Sequence, residues 1–302
     1  MIQNMKAITR RQFTSMAVAV IPASILGNKV LASSQKMPSG TLWQLPSQTG
    51  SQINSYVIRN SGGELIVMDG GRKKDAAYLR KFILEQGNHV HAWFISHTHL
   101  DHTEALTEIL NNSGDMKIDR IYGSLPDDDW MKVHQSARSF KTQTDFKAAL
   151  KKSGHELMDL SLGQQIKFKG ATIEILGIRN PELTVNAVNN SSVVCRLDTD
   201  GHSVLFLGDL GVEGGDKLLA SPYRDRLKAD YVQMSHHGQT GVSEEFYQIV
   251  DPTFCLWPTP AWLWTNKNGT GPWKTLEVRA WMNALSIEKH YIAKDGLHQI
   301  NL

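Results

Sequence analysis

The chain has 302 residues, of which 32 are Lys or Arg and 30 Asp or Glu, with 41% hydrophobic and 21% charged side chains. These values exclude disordered, collagenous and coiled-coil chains, and two cysteines rule out a disulfide scaffold or a Cys₄ zinc module. A net charge of +2 gives no reason to expect nucleic-acid binding.

Residues 1–32 contain Lys6, Arg10, Arg11 and Lys29 and no acid. The apolar stretch 16–26 is interrupted by Pro22 and is too short to span a bilayer as a permanent helix. Val30-Leu31-Ala32 offers small residues in the A-x-A manner, so cleavage is expected after Ala32. Thr9-Arg10-Arg11-Gln12-Phe13 resembles the twin-arginine export signal of bacteria. That resemblance implies a partner in the twin-arginine export machinery. It also implies a periplasmic or secreted mature chain without a membrane span. Four of the 32 basic residues lie in this segment, so the rest carries 28 basic against 30 acidic side chains, a further argument against phosphate-backbone binding. After a short lead at 33–40, residues 33–302 are expected to form one domain, since no composition break divides them.

In chain order, strands are predicted at 41–45, 54–59 and 64–69. The last reads Leu65-Ile66-Val67-Met68, a continuous apolar run suited to a strand covered on both faces. It stops at the turn signal Asp69-Gly70-Gly71. Ala76, Leu79, Phe82 and Ile83 form the apolar stripe of a helix at 75–86. A strand at 91–95 and a helix at 103–111 follow, then a long polar helix from 127 to about 152. The second half predicts strands at 165–168, 172–176, 192–198 and 203–207 and a short helix at 215–220. A strand at 231–235, a helix at 243–249, a strand at 253–257, a helix at 275–285 and strands at 289–293 and 297–302 complete the chain. Strand clusters with helices between them, in two halves, predict an α/β sandwich with helices outside. Cys195 and Cys255 fall in apolar, strand-like runs, where a thiol behaves as a small hydrophobe. A bridge between them is left open.

The most informative stretch is Ser96-His97-Thr98-His99-Leu100-Asp101-His102. Three imidazoles and a carboxylate fall within six residues, directly after an apolar strand. His97 and His99 differ by two and share a face in extended backbone. Asp101 and His102 lie past the turn and can serve a second locus, at the spacing of two-metal sites. This mixture of donors suits Zn²⁺, with Mn²⁺ or Fe as alternatives. Further along, Asp209 follows an apolar strand in Leu207-Gly208-Asp209-Leu210, and Ser235-His236-His237-Gly238 ends another.

Here the sequence resembles the metallo-β-lactamase superfamily. The H-x-H-x-D-H motif matches His97, His99, Asp101 and His102 without a gap. Asp69-Gly70-Gly71 matches the acidic turn, Gly208-Asp209 the step supplying a bridging carboxylate, and His236-His237-Gly238 the late histidine motif. The resemblance implies a four-layer αβ/βα sandwich holding two divalent metal ions, zinc first, in a cleft at the sheet edges. His97, His99 and Asp209 would hold one; Asp101, His102, Asp209 and one of His236 and His237 the other. Which of that pair ligates stays open, and the other would hydrogen-bond nearby or donate a proton. Asp69 is expected to buttress the loop by hydrogen bonds. No histidine between His102 and Asp209 is placed for ligation: His134 falls in the polar helix, His155 in an early loop and His202 in a turn. In its place stands Asn186-Ala187-Val188-Asn189-Asn190-Ser191. That resembles the branch containing the hydrolase domain of bacterial DNA-uptake competence proteins and the surface choline-phosphate esterases. One departure is the late 266–273 segment, which lacks the histidine common in the competence type and so argues against a nuclease.

The expected function is an exported hydrolase using water activated by two metals. Asp101, His236 and His237 are the candidate catalytic residues. Its substrate would be a small-molecule or cell-surface ester, a phosphoester or phosphodiester first. Asn189 and Asn190 could donate hydrogen bonds to the reacting oxygens, and Trp262 and Trp264 could stack on a sugar, base or choline-like group. A lactone or β-lactam hydrolase of the same fold is the alternative, and a non-catalytic metal-binding relative a third reading. Neither a Gly-x-Ser-x-Gly elbow nor a cysteine in a histidine-rich context competes.

Overall fold

Every residue of Leu65-Ile66-Val67-Met68-Asp69 is buried, as a strand covered on both faces requires. Around it the first half is built from β1 (Gly40–Gln44), β2 (Ser55–Asn60), β3 (Leu65–Asp69), α1 (Ala76–Glu85), β4 (His89–Val90), β5 (Ala92–Phe94) and α2 (Leu100–Asn111). Then come β6 (Lys117–Ile118), β7 (Ile121–Gly123), α3 (Asp128–His134), α4 (Ala137–Ser153) and β8 (Leu157–Asp159). The second half adds β9 (Gln165–Phe168), β10 (Ala171–Gly177), β11 (Val194–Thr199), β12 (Ser203–Phe206), α5 (Val212–Leu219), β13 (Tyr231–Gln233) and α6 (Glu244–Val250). It closes with β14 (Phe254–Trp257), α7 (Ala261–Thr265), α8 (Thr275–Ala284), β15 (Lys289–Ile292) and β16 (His298–Asn301). This computed structural model describes residues 40–266, 271 and 273–302. The export signal expected at 1–32, with its Arg10-Arg11 pair and cleavage point, lies outside the described residues, as does the lead up to 39.

Two seven-stranded sheets run β16-β1-β2-β3-β5-β7-β8 and β15-β14-β13-β12-β11-β10-β9, and β4 pairs with β6 alone. Each large sheet is antiparallel on one side and parallel on the other: β3-β5-β7-β8 in the first, β12-β13-β14-β15 in the second. Alternation along the strands sends residues to three cores. Ile58, Ile66, Ile173, Leu197 and Phe206 pack between the sheets. Val57, Val67, Trp93, Leu106 and Phe146 pack the first sheet against its helices. Leu205, Val232, Phe246, Trp257 and Met282 do the same for the second. Three cores between four layers make the αβ/βα sandwich. No helix among the described residues is long and apolar enough to cross a membrane.

The differences from the sequence reading have local causes. The helix expected at 127–152 is two helices, broken at Gln135 and Ser136, because the Ser136 hydroxyl accepts the Ser139 N–H and starts α4 afresh. The helix expected from 103 begins at Leu100, with His99 as its N-cap residue, so Asp101 and His102 sit in its first turn. Strands of two or three residues (β4, β6, β7, β8) carry too little periodicity to be read. The segment after Trp257, for which no element is predicted, contains α7. Cys195 faces the inter-sheet core and Cys255 the outer core, with two strands between them. They lie on opposite faces and roughly 14 Å apart at normal strand spacing. A bridge cannot form at that distance, and both thiols are free.

Candidate metal centre

The parallel strands β3, β5, β12, β13 and β14 all end at one edge of the sandwich, the end at which open α/β sheets bind ligands. There the chain turns sharply. Asp69 has φ 54°, Gly208 φ 55°, His236 φ 49° and His237 φ 57°, all in the left-handed region. At Gly208 a Cβ would lie 2.8 Å from Ser96 Cβ and 2.9 Å from Ser192 Oγ, so only glycine lets the two halves approach so closely. The backbone bond from Val193 N to Ser96 O, 2.8 Å, ties them at that point.

Six side chains fall into two groups whose ligand atoms lie within 4.8 Å of one another: His97 with His99 and Asp209, and Asp101 with His102 and His237. Asp209 stands between the groups. Its Oδ2 is 3.7 Å from His97 Nε2 and 3.4 Å from His237 Nε2, and its Oδ1 is 3.2 Å from His102 Nε2. Asp101 Oδ2 is 3.3 Å from His237 Nε2. Yet His97 Nε2, His102 Nε2, His237 Nε2 and Asp209 Oδ1 are buried without a hydrogen-bond partner. Buried polar atoms are rarely left so. Lone pairs that converge without bonding one another are what a bound cation requires, and imidazole with carboxylate suits divalent zinc, manganese or iron.

The outer nitrogens fix the rings. His102 Nδ1 donates to Asp69 Oδ2 at 2.7 Å and His237 Nδ1 to Pro258 O at 3.0 Å. Both acceptors force the tautomer that leaves Nε2 bare toward the cluster. His97 Nδ1 faces the hydroxyls of Ser96 (3.1 Å) and Ser192 (3.3 Å). Asp69 also accepts from Ser96 N, Ser96 Oγ and Asn54 Nδ2, so it holds the motif loop by hydrogen bonds and stays behind His102. His236 is half-buried and belongs to neither group; its Nδ1 donates to Thr240 O at 2.7 Å, and its Nε2 faces Asn189 Nδ2 at 3.3 Å and Asp209 Oδ2 at 3.9 Å.

The electrostatics follow from this crowding. Burial resists charge on His102, but Asp209 and Asp69 hold its pKa well above the ordinary value. His237, likewise opposed by burial, is raised to about 9 by Asp209 and Asp101. His97 and His99 are lowered, by burial first; His102 adds to this, and the nearby carboxylates only partly offset it. Burial disfavours the Asp101 and Asp209 carboxylates, yet the surrounding imidazoles hold both below the usual range.

Three expected substrate-binding residues need correction. Asn190 is fully buried; its Oδ1 accepts from Gly211 N and Gly214 N, and its Nδ2 donates to Val185 O and Glu213 Oε2. It ties down the start of α5 and has no donor left for a ligand. Trp264 packs edge-on against Trp257 with Arg279 over its ring at 4.0 Å, and Trp262 packs against Trp273. Neither lines the cleft. Asn189 does stand beside His236, and its buried Oδ1 has no partner.

The cleft beside the cluster has a volume of about 240 Å³ and is walled by Gln52, Arg72, Arg138, Ser139 and Thr142. Sequence reading passed over these residues because they come from the 50s loop, the turn after β3 and the start of α4. Gln233 was missed too. Its Oε1 accepts from Leu207 N and Gly208 N, and its Nε2 donates to Gly208 O and Met234 O, which stitches the Asp209 turn to the His236-His237 turn. A buried Gln at the end of a short strand was its only signal.

Comparison with known proteins agrees with this geometry. The family model described as Metallo-beta-lactamase superfamily matches residues 48–245. ComE operon protein 3 of Bacillus subtilis (strain 168) is 30% identical over 105 residues, 34% of this chain and 13% of that protein, so the chain spans a small part of that relative. The metallo-beta-lactamase fold protein YhfI from Bacillus subtilis superposes with a TM-score of 0.51 at 13% identity, over 86% of this chain and 100% of its own. CmlA, a diiron beta-hydroxylase from Streptomyces venezuelae, gives 0.52 at 12% over 87% of this chain and 54% of its own. At such identities the two structures speak for the fold alone. The family match covers more than half of the chain and contains all the clustered histidines and aspartates, and the chain belongs to the metallo-β-lactamase superfamily.

Proposed function

We propose that the chain is an exported, metal-dependent hydrolase of phosphoesters, phosphodiesters first. The observation that carries the reading is the set of buried, unpartnered Nε2 and carboxylate oxygens of His97, His102, His237 and Asp209 at the foot of an open cleft. Two divalent cations, zinc first, would supply Lewis acidity and a water acidified toward neutral pH. His97, His99 and Asp209 would hold one, and Asp101, His102, His237 and Asp209 the other. With three protein donors, the first locus would keep a position open to water or a substrate oxygen, which suits a phosphoryl group.

The remaining work falls to the chain's own side chains. His236 gives its Nδ1 proton to the Thr240 carbonyl, so its Nε2 faces the cleft and can take up a proton and pass it to a departing alkoxide. Asn189 holds that ring by its amide. The missing middle histidine and the partial similarity to ComE operon protein 3 support the competence-type branch. The Arg10-Arg11 segment supports export.

The test is to purify residues 33–302, load zinc, manganese or iron, and assay bis-p-nitrophenyl phosphate, p-nitrophenyl-phosphorylcholine, a lactone and a cephalosporin. Metal-dependent turnover of a phosphoester is expected. Turnover of the carbonyl substrates alone would replace the phosphoester reading. A reporter fused after residue 32 should reach the periplasm and lose that ability with Arg10→Lys and Arg11→Lys together.

A further inference from the structure

We infer that Arg72 and Arg138 form an anion clamp, so that the substrate carries a second negative group beside the ester that is cut. This rests on the phosphoester reading and specifies its substrate. Both arginines line the cleft that holds His99, Asp101, Asp209, His236 and His237. They come from different elements, Arg72 from the turn that follows Asp69-Gly70-Gly71 and Arg138 from the first turn of α4. Nothing local explains why both should point there.

Neither guanidinium makes a hydrogen bond, although the Asp75 carboxylate lies close enough to Arg72 to offset part of its charge. Arg72 Nε is buried without a partner, and the nearby Asp75 carboxylate is occupied by the backbone N–H groups of Gln48 and Arg72. For Arg138 only the main-chain carbonyl is engaged, by Thr142 Oγ1. A guanidinium offers five donors in a planar fork suited to carboxylate or phosphate. Gln52, Ser139 and Thr142 add polar groups to the lining of the same cleft.

Charge decides what the fork is for. Two divalent cations would carry four positive charges against the carboxylates of Asp69, Asp101 and Asp209, since imidazoles bind neutral, and the single charge left over matches that of a phosphodiester. The positive charge of Arg138, with the part of Arg72's that Asp75 leaves, is then additional to what the reacting group needs. A second anion on the same substrate, a terminal phosphate or a carboxylate, matches it.

The experiment compares three p-nitrophenyl phosphodiesters whose second ester group is methyl, 2-carboxyethyl or 2-phosphonoethyl, using the zinc-loaded protein. The charged ends should raise kcat/KM about tenfold or more over methyl, mainly through KM. Arg138→Gln, and Arg72→Gln with Arg138→Gln, should bring that ratio toward one, and Arg→Lys should keep part of it. Preference for phosphonoethyl or for carboxyethyl names the anion as phosphate or carboxylate. Calorimetric binding of methylphosphonate against 2-carboxyethylphosphonate and 1,2-ethylenediphosphonate gives the same comparison without turnover. Arg138 is exposed, so its variant should fold even if substitution at Arg72 does not tolerate folding. Equal kcat/KM across the series, or a ratio that survives the double substitution, overturns the clamp. No hydrolysis of any diester overturns the phosphoester reading instead, and calorimetry then decides the clamp alone.

Discussion

Asp69 Oδ2 stands 2.7 Å from His102 Nδ1, behind the ring and away from the cluster that Nε2 faces. The same carboxylate accepts from Ser96 N, Ser96 Oγ and Asn54 Nδ2, so four donors converge on it. In Asp69→Asn one oxygen becomes an NH₂, and at least one of these contacts turns donor against donor. Asparagine tolerates the left-handed backbone at this position, so the turn itself should persist. Metal affinity at the Asp101–His102–His237 locus should fall about 10–100-fold, with less effect at the other. Chelator competition measures both; two unchanged affinities would refute the coupling.

The adjacent pair His236 and His237 should separate cleanly. His237→Ala removes a converging Nε2 and should reduce bound metal toward one ion per chain. His236→Ala should leave two ions bound and reduce turnover by about 100-fold or more. Elemental analysis alongside kinetics distinguishes them, and metal loss in the His236 variant would reverse the roles.

Metal binding should release protons from one locus and not the other. In the metal-free chain the imidazole of His237 has its pKa raised to about 9, and that of His102 is also raised. A protonated imidazole cannot ligate, so each must lose its proton first. Affinity at that locus therefore rises with pH from neutral through about 9. His97 and His99 are shifted downward, so their locus should show no such rise above neutral pH. Titration calorimetry at pH 7 in buffers of differing ionisation enthalpy should detect about two protons released on filling the Asp101–His102–His237 locus.

Gly238 should not accept a side chain. Its φ is +73°, and an added Cβ would lie 2.4 Å from the ring of fully buried Trp257. Gly238→Ala should cost about 2 kcal/mol or more of stability and displace His237. Urea denaturation of the metal-free protein, with metal content measured in parallel, checks this; a midpoint within error of the parent would contradict it.

Cys195 and Cys255 should resist thiol reagents. Both are buried, and burial pushes both thiols well above their ordinary pKa. The folded chain should show essentially no reaction with a disulfide reagent at pH 8, and both thiols should titrate on unfolding. Oxidised cysteines in the folded chain would contradict the placement on opposite sheet faces.

Local features were readable where the chemistry is dense in sequence. Continuous apolar runs marked the buried strands, and His97-x-His99-x-Asp101-His102 marked the loop of candidate metal ligands, because neighbours in the chain are neighbours in space over a few residues. The second half of the cluster was readable as single residues at strand ends, Asp209 and His236-His237. What only the tertiary structure decided depends on the path of the backbone between distant segments. Two successive left-handed residues rotate His237 into the cluster and His236 to its edge, a difference that strand alternation could not assign. Asn190 looked free until α5 placed Gly211 and Gly214 against its oxygen. Arg72 and Arg138 lie 66 positions apart and carry no motif; they meet at one cleft because α4 packs across α2 beside the turn that ends β3. A sequence states which donors a chain owns, whereas their directions are set by long-range packing.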